Sequence, residues 1–121
     1  MNTENQIAIN PKEIVLAFID ALNNEDFISA RKYLDDDMKF EGVMGSRDGA
    51  EVYIKDMEHM KFKYKIQKAF GDENDVCLWY NISMSGQSIF SCGWYHIVSG
   101  KIKTFKVLFD PRPLLEQSNK K

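Results

Sequence analysis

The sequence predicts an α+β fold in which three helices precede a strongly bent antiparallel sheet and close with it into a cone. Three observations favour this fold. Apolar residues recur at helical spacing through the first half of the chain, they alternate with polar residues from Lys61 onward, and short turn segments separate the alternating stretches. Because a helix buries one stripe and a sheet one face, the two halves should pack against each other.

The composition is that of one ordinary globular domain. Of 121 residues, 44% are hydrophobic and 28% charged, so one core suffices and disorder is not indicated. We expect a flexible arm over residues 1–9, the domain over 10–113 and a C-terminal tail over 114–121. The net charge of -2 argues against a nucleic-acid partner, and no apolar run is long enough to span a membrane. The first residues lack a signal-peptide pattern, so a cytoplasmic location is predicted.

The first helix is predicted to begin at Pro11. Asn10 is a capping residue, proline suits the first helical position, and Glu13 stands three residues after the cap. The buried stripe comprises Ile14, Val15, Phe18 and Leu22. After an Asn23-Asn24 break, a second short helix is predicted to precede the acidic run 35–37. It places at helical spacing Phe27, Ala30, Arg31 and Leu34.

A strand and a third helix follow. The strand is predicted over Met38–Met44, where large apolar residues alternate with charged ones. Its buried set is Met38, Phe40, Gly42 and Met44. Asp48, with Glu51 three residues later, resembles the cap of a helix. The stripe of this third helix comprises Ala50, Tyr53, Ile54, Met57 and Met60.

Four more strands are predicted over residues 61–70, 75–85, 88–98 and 101–109, the last ended by prolines. If Gly86-Gln87 and Ser99-Gly100 are the hairpin turns, Tyr80 faces and covers Gly93, whose small size lets the strand bend. In this register Leu78 faces Tyr95, Trp79 faces Trp94 and Cys77 faces His96. The face toward the helices comprises Val76, Leu78, Tyr80, Ile82 and Met84 opposite Ile89, Ser91, Gly93, Tyr95 and Ile97. A bulge in the last strand would decide which face of the sheet, inner or outer, carries Phe105, Lys106 and Val107.

This order of elements resembles the nuclear transport factor 2-like superfamily, which includes SnoaL-like polyketide cyclases and ketosteroid isomerases and has a cystatin-like fold. The resemblance spans nearly the whole chain. Local matches are Phe18–Asn23 with Asp26, Tyr33–Asp37, and Gly100–Ile102 through Leu108–Asp110. The superfamily contains enzymes, binding modules and dimerisation domains, so the resemblance alone does not assign a function.

The catalytic patterns that the resemblance implies are not matched. Ketosteroid isomerases have an oxyanion-binding tyrosine where this chain has Phe18 and a general-base aspartate where it has Gly42. Their protonated aspartic acid falls at Gly93, or at Tyr95 if the last hairpin is shifted. Limonene epoxide hydrolases use an Asp-Arg-Asp constellation, and no arginine flanked by two pocket carboxylates is found. Both activities are disfavoured, and catalysis of another kind stays open.

The histidines and cysteines are not predicted to form a metal or catalytic site. Cys77 and Cys92 are too few for a zinc site and lack the spacing of a redox motif, so free thiols are expected. His59 should face water, and His96 should lie on the outer sheet face, where a nucleophilic pair with Cys77 is the alternative. Asp20 is predicted to be a solvated charge. Neither a metal nor a cofactor is predicted.

The inside of the cone is predicted to have an aromatic and methionine lining with a few hydroxyls, as ligand pockets do and cores also do. The predicted ligand-binding residues are Phe18, Phe40, Met44, Tyr53, Met57, Tyr64, Tyr80, Ser91 and Tyr95. The favoured function is binding of a small apolar or aromatic molecule. One alternative is an isomerase- or cyclase-like enzyme in which Tyr80 and Tyr95 donate hydrogen bonds to a carbonyl oxygen. Another is a homodimeric interaction module with a filled core.

The sheet face away from the helices is predicted to be an apolar patch. It combines Trp79, Phe90, Cys92 and Trp94, and, if the last strand has no bulge, Phe105, Val107 and Phe109. A soluble monomer rarely exposes so large an apolar area. We expect a second copy to cover it, giving a homodimer. The alternative cover is the C-terminal pair Leu114 and Leu115.

Overall fold

The structure is a computed structural model that describes the backbone of residues 10–119 and the side chains of residues 10–115. Its helices are α1 (Pro11–Asn23), α2 (Phe27–Lys32), α3 (Ala50–Met60) and α4 (Arg112–Asn119). Its strands are β1 (Leu34–Gly42), β2 (Gly45–Asp48), β3 (Lys63–Asp72), β4 (Asp75–Met84), β5 (Gln87–Val98) and β6 (Lys101–Phe109). The predicted arm lies outside the described residues, and the predicted tail begins inside α4.

The six strands form one sheet in the order β2-β1-β6-β5-β4-β3. All neighbouring strands run antiparallel except β1 and β6, which are parallel. Helix α1 packs on β3 and β4, and α3 packs on β1 and β2, so both lie on the same, inner face of the sheet. The predicted α+β fold is confirmed, and the space between the helices and the curved sheet is where a site can form.

Helix α1 begins where the sequence predicts. The Asn10 side chain accepts a hydrogen bond from the backbone N–H of Glu13 at 2.9 Å, and Pro11 occupies the first turn. The predicted stripe is buried. Helix α2 is shorter than predicted, because the Tyr33 carbonyl accepts a hydrogen bond from the Ile102 N–H at 2.8 Å and the chain enters the sheet there. Leu34 is therefore a fully buried strand residue rather than the end of a helical stripe.

The connection between β1 and α3 corrects two predictions. Gly42 pairs with Gly45 across a β1–β2 hairpin, so Met44 lies in the turn and is exposed instead of belonging to a buried strand face. Asp48 belongs to β2 and does not cap α3, whose cap position is Gly49, without a side-chain hydrogen bond. Met60, predicted in the buried stripe of α3, is also exposed.

The β4–β5 turn is Ser85-Gly86, not Gly86-Gln87. Both turn residues have positive φ, 50° and 77°, as the twist-matched two-residue hairpin turn requires. The register consequently moves by two, so Tyr80 pairs with Ser91 and Cys77 with Trp94, and the predicted pairings are wrong. A shift of two keeps every side chain on its face, so the predicted inward set is retained. The turn Ser99-Gly100 lies where the sequence predicts it.

Gly93 is covered by a different ring from the one predicted. It pairs with Leu78, and the ring that lies over it belongs to Tyr95, two residues further along the same strand. A Cβ atom at Gly93 would lie 2.8 Å from Tyr95 Cε1. Tyr95 can lie flat against the strand only because position 93 has no side chain.

A bulge in β6 sets the facing of the last strand. His96 pairs with Thr104 but Ile97 with Ile102, which leaves Lys103 as an extra residue. Phe105 and Val107 are consequently buried on the inner face. The alternative that placed them, with Phe109, on the outer patch is excluded, because Phe109 also borders the interior. Lys106 points outward, its Nζ 5.6 Å from the centre of the Trp94 ring.

Candidate functional site

The helices and the inner face of the sheet surround a cavity of about 370 Å³. This volume lies within the range of small-molecule pockets. Eight of the nine predicted ligand-binding residues border the cavity, and the exception is Ser91. Ser91 is buried, but its hydroxyl donates to the carbonyl oxygen of Ile89 at 3.2 Å, within its own strand. The placement of Ser91 in the lining is therefore wrong, because its short side chain is satisfied locally.

The deep wall of the cavity is an aromatic cluster centred on Phe105. Its ring stacks on Tyr95 with centroids 4.8 Å apart, and lies 5.0 Å from Phe40 and 5.2 Å from Tyr53. Phe18 meets the same ring edge-on at 6.2 Å. These contacts involve α1, α3, β1, β5 and β6, so the wall joins both layers of the fold.

Four tyrosine side chains supply hydroxyls to this lining: Tyr53, Tyr64, Tyr80 and Tyr95. Burial raises the pKa of each hydroxyl above its ordinary value of 10.0, and neighbouring tyrosines raise it further at Tyr53, Tyr80 and Tyr95. All four therefore keep their protons near neutral pH. Part of this donor capacity is used within the lining, since the Tyr64 hydroxyl donates to Met57 Sδ at 3.9 Å and hydrogen bonds pair Tyr53 with Tyr64 and Tyr80 with Tyr95. The Tyr80–Tyr95 pair can still present one O–H to an acceptor in the cavity, and none of the four can act there as a base.

Arg47 on β2 and Asp56 on α3 also border the cavity. They are its only charged lining residues within the described part of the chain. Arg47 Nε lies 2.6 Å from Asp56 Oδ2, and both side chains are partly exposed, which places the pair near the mouth. Each charge is thus neutralised by the other, and the described lining has no further charged side chain to offer a ligand.

The epoxide-hydrolase constellation is absent from the described part of the cavity. One arginine in the structure does lie between two carboxylates, since Arg31 contacts Asp36 at 2.6 Å and Glu51 at 2.7 Å. None of these three residues borders the cavity. The network instead joins α2, β1 and α3 at the surface.

The predicted alternative of a Cys77–His96 nucleophilic pair is not formed on the outer sheet face. His96 Nδ1 lies 2.9 Å from Asp75 Oδ1, and Cys77 lies next to Cys92 rather than forming a pair with His96. His59 is exposed, as expected. Asp20 is also exposed.

The described residues form neither a metal-binding cluster nor a membrane-spanning helix. No cluster of three or more His, Cys, Asp or Glu side chains among them could hold a metal ion. None of the helices within the described chain combines the length and apolarity that crossing a membrane requires.

Sequence reasoning missed several lining residues. The bulge in β6 is the reason that Phe105, Val107 and Phe109 line the cavity. No residue type in the strand predicts that bulge. Arg47 and Asp56 meet because the β1–β2 hairpin folds over α3, and their separation along the chain resembles no motif. The abundance of methionine was a usable signal: four of the six methionines border the cavity, namely Met44, Met57, Met60 and Met84.

Comparison with known proteins finds one family. The family model of the SnoaL-like domain matches residues 15–105. An NTF2-like protein of unknown function from Cytophaga hutchinsonii ATCC 33406 is 50% identical in sequence, with a TM-score of 0.87, over 88% of this chain and 96% of that one. No curated protein matches the chain.

Two other solved structures share the fold at low identity. An LEH-like epoxide hydrolase of M. tuberculosis is 23% identical, with a TM-score of 0.76, over 88% of this chain and 86% of that one. A cystatin fold protein of Novosphingobium aromaticivorans is 16% identical, with a TM-score of 0.75, over 82% of this chain and 97% of that one. At these identities the likeness concerns the fold alone.

Proposed function

We propose that this chain, which belongs to the SnoaL-like domain family, binds a small neutral molecule of apolar or aromatic character inside its cone. The observation that supports this most strongly is the cavity of about 370 Å³. The cavity opens to solvent beside Arg47 and Asp56, and an apolar cleft of this kind is the usual form of a small-molecule site. The sequence also predicts, as an alternative, a homodimeric interaction module with a filled core. Such a module would not leave a cavity of this size.

The chemistry of the lining narrows the class of ligand. The walls are aromatic rings, aliphatic side chains and methionines, which favour apolar surface. Four protonated tyrosine hydroxyls favour at least one acceptor oxygen, such as a carbonyl, ether or hydroxyl. A charged ligand is disfavoured, because Arg47 and Asp56 already satisfy each other and an unpaired buried charge is costly. A neutral aromatic ketone has all the favoured properties.

Replacing both Tyr80 and Tyr95 with phenylalanine tests the polar part of this proposal. We expect the double variant to bind a neutral aromatic ketone about 2- to 10-fold more weakly, since the one hydrogen bond of roughly 0.5–1.5 kcal/mol that the Tyr80–Tyr95 pair offers is lost. The affinity for a hydrocarbon of the same shape should be unchanged. Isothermal titration calorimetry measures both affinities.

Tyr33→Phe is the matched control, because Tyr33 is a tyrosine of the same fold that does not border the cavity. It should bind both compounds as the unmutated chain does. Equal affinity of the double variant and the parent for the ketone would refute the role of the hydroxyls.

An isomerase- or cyclase-like enzyme is the second candidate, favoured by the protonated state of Tyr80 and Tyr95. Both hydroxyls could stabilise negative charge that develops on a carbonyl oxygen. Asp56 is the only carboxylate among the described lining residues, and it forms an ion pair with Arg47. The described lining therefore offers no unpaired carboxylate that could act as a base. If the chain is such an enzyme, the same double variant should abolish turnover, and unchanged turnover would exclude this mechanism.

We further propose that the chain forms a homodimer through the outer face of its sheet. This outer patch comprises Trp79, Phe90, Trp94 and Leu108, which are 38%, 56%, 53% and 66% exposed. Leu114 and Leu115, the alternative cover predicted for this patch, do not lie over it. Leu114 borders the cavity on the inner side of the sheet, and Leu115 is exposed. A two-fold axis would let the patch cover its own image.

A further inference from the structure

Cys77 and Cys92 lie side by side on the outer face of the sheet. Cys77 is on β4 and Cys92 on β5, and their Sγ atoms are 3.7 Å apart. In the ladder Cys77 pairs with Trp94 and Cys92 with Trp79, so the two cysteines are diagonal neighbours between two tryptophans. Both side chains are partly exposed, and neither borders the cavity. The pair is therefore independent of the proposed ligand site. It lies within the outer patch, so a second copy bound there would shield both thiols, and oxidation takes place while the patch is uncovered.

We propose that Cys77 and Cys92 are a reversible redox pair that an oxidant of the hydroperoxide class closes into an intrachain disulfide. A disulfide has an S–S distance of about 2.05 Å, so the two sulfurs must approach by roughly 1.6 Å from their present 3.7 Å separation. Diagonal neighbours on paired strands lie about 7–8 Å apart, at the upper limit for the Cα atoms of a disulfide, so closure needs rotation of both side chains together with a small local shift of the two strands. The ladder between β4 and β5 keeps the two cysteines adjacent, so closure requires no search through the chain.

The surroundings favour oxidation over metal binding. A structural zinc site needs four ligands. Within the described residues no third His, Cys, Asp or Glu joins the two sulfurs to form a metal-binding group. The sulfurs are instead each other's nearest reactive partner.

The reaction has two steps. In the first step the sulfur of one cysteine, written here as Cys77, attacks the peroxide. The O–O bond breaks, Cys77 becomes a sulfenic acid, and the released hydroxide takes the thiol proton to form water.

Cys92 sulfur then attacks the Cys77 sulfur. The S–S bond forms as the S–O bond breaks, and the departing hydroxyl leaves as a second water with the proton of Cys92. In total two thiols lose two electrons and two protons, and one hydrogen peroxide is reduced to two waters.

The test is treatment of the full chain with excess hydrogen peroxide, followed by alkylation of free thiols and mass spectrometry. We expect the unmutated chain to lose both alkylation sites and to yield a Cys77–Cys92 cross-linked peptide, which dithiothreitol reverses. The cross-link should join two cysteines of one chain at every protein concentration, and it should form more slowly where a second copy covers the outer patch. Because the disulfide would lie between Trp79 and Trp94, tryptophan fluorescence should fall on oxidation and recover on reduction.

Two serine variants test whether the two sulfurs act together. In Cys92→Ser and in Cys77→Ser the reaction should stop at a sulfenic acid on the remaining cysteine, which dimedone traps, because the partner that would displace it is missing. Three results would overturn the redox pair: both thiols still alkylated in the oxidised chain, oxidation to a sulfinic acid without a cross-link, or interchain disulfides whose yield rises with concentration.

Discussion

Replacement of Phe18 by alanine is expected to lower the free energy of unfolding by about 3–5 kcal/mol, the usual cost of removing a buried phenylalanine ring. Phe18 is 1% exposed and packs edge-on against Phe105. Its ring separates α1 from the inner face of the sheet. The loss would join a new void to the existing cavity, which Phe18 borders. Urea unfolding followed by circular dichroism measures the change.

Ile28→Ala is the control for this variant. Ile28 is also a large apolar residue on a helix, but it is 77% exposed, so its truncation should change stability by no more than about 0.5 kcal/mol. A loss below about 1 kcal/mol for Phe18→Ala would show that Phe18 does not occupy the interface between helices and sheet.

Trp94→Glu is expected to convert a dimer into a monomer. In a two-fold dimer through the outer patch the substitution would introduce two carboxylates into one apolar interface, where unpaired charges are strongly unfavourable. Analytical ultracentrifugation at micromolar concentration should give about twice 14.0 kDa for the unmutated chain and 14.0 kDa for the variant.

Two companion variants make this result specific to the patch. The Trp94 indole also donates to Asp75 at 2.9 Å, so a carboxylate at position 94 would repel that neighbour. Phe90→Glu lies in the same patch without that contact and should also give a monomer. Val52→Glu places a charge on the exposed face of α3 and should remain dimeric. A monomeric unmutated chain would remove the dimer proposal.

Local sequence patterns predicted most of the helices and strands. The Asn10 cap and Pro11 define the start of α1, and strict alternation along β4 and β5 decides which side chains face inward. These predictions hold because each depends on residues adjacent in sequence. The set of inward-facing residues was predicted correctly although the turn was not. A register error of two residues leaves each side chain on the same face of the sheet.

The failures came from features set by tertiary structure. Choosing between Ser85-Gly86 and Gly86-Gln87 required knowing that a serine accepts positive φ, here 50°. The bulge at Lys103 is set by the pairing of β6 with β5 and cannot be predicted from the residues of β6 alone. It nevertheless places Phe105 in the centre of the aromatic wall instead of on the outer face. Likewise, the Arg47–Asp56 pair exists only because of how a hairpin folds over a helix.

The central claim, that the cavity binds a small neutral molecule, can be tested by NMR of methionine methyl groups. Met44, Met57, Met60 and Met84 border the cavity, whereas Met38 is buried outside it and serves as an internal control. The chain would be labelled at these methyls and titrated with neutral aromatic ketones of increasing size.

Two valine variants complete the measurement. Val107→Phe extends a side chain into the cavity, and Val98→Phe makes the same change at an exposed position of β5 outside it. We predict saturable shifts of the cavity methyls with no shift at Met38, lost in Val107→Phe and retained in Val98→Phe. Cavity methyls that do not respond to any compound in the series, or that respond equally in Val107→Phe, would contradict the account.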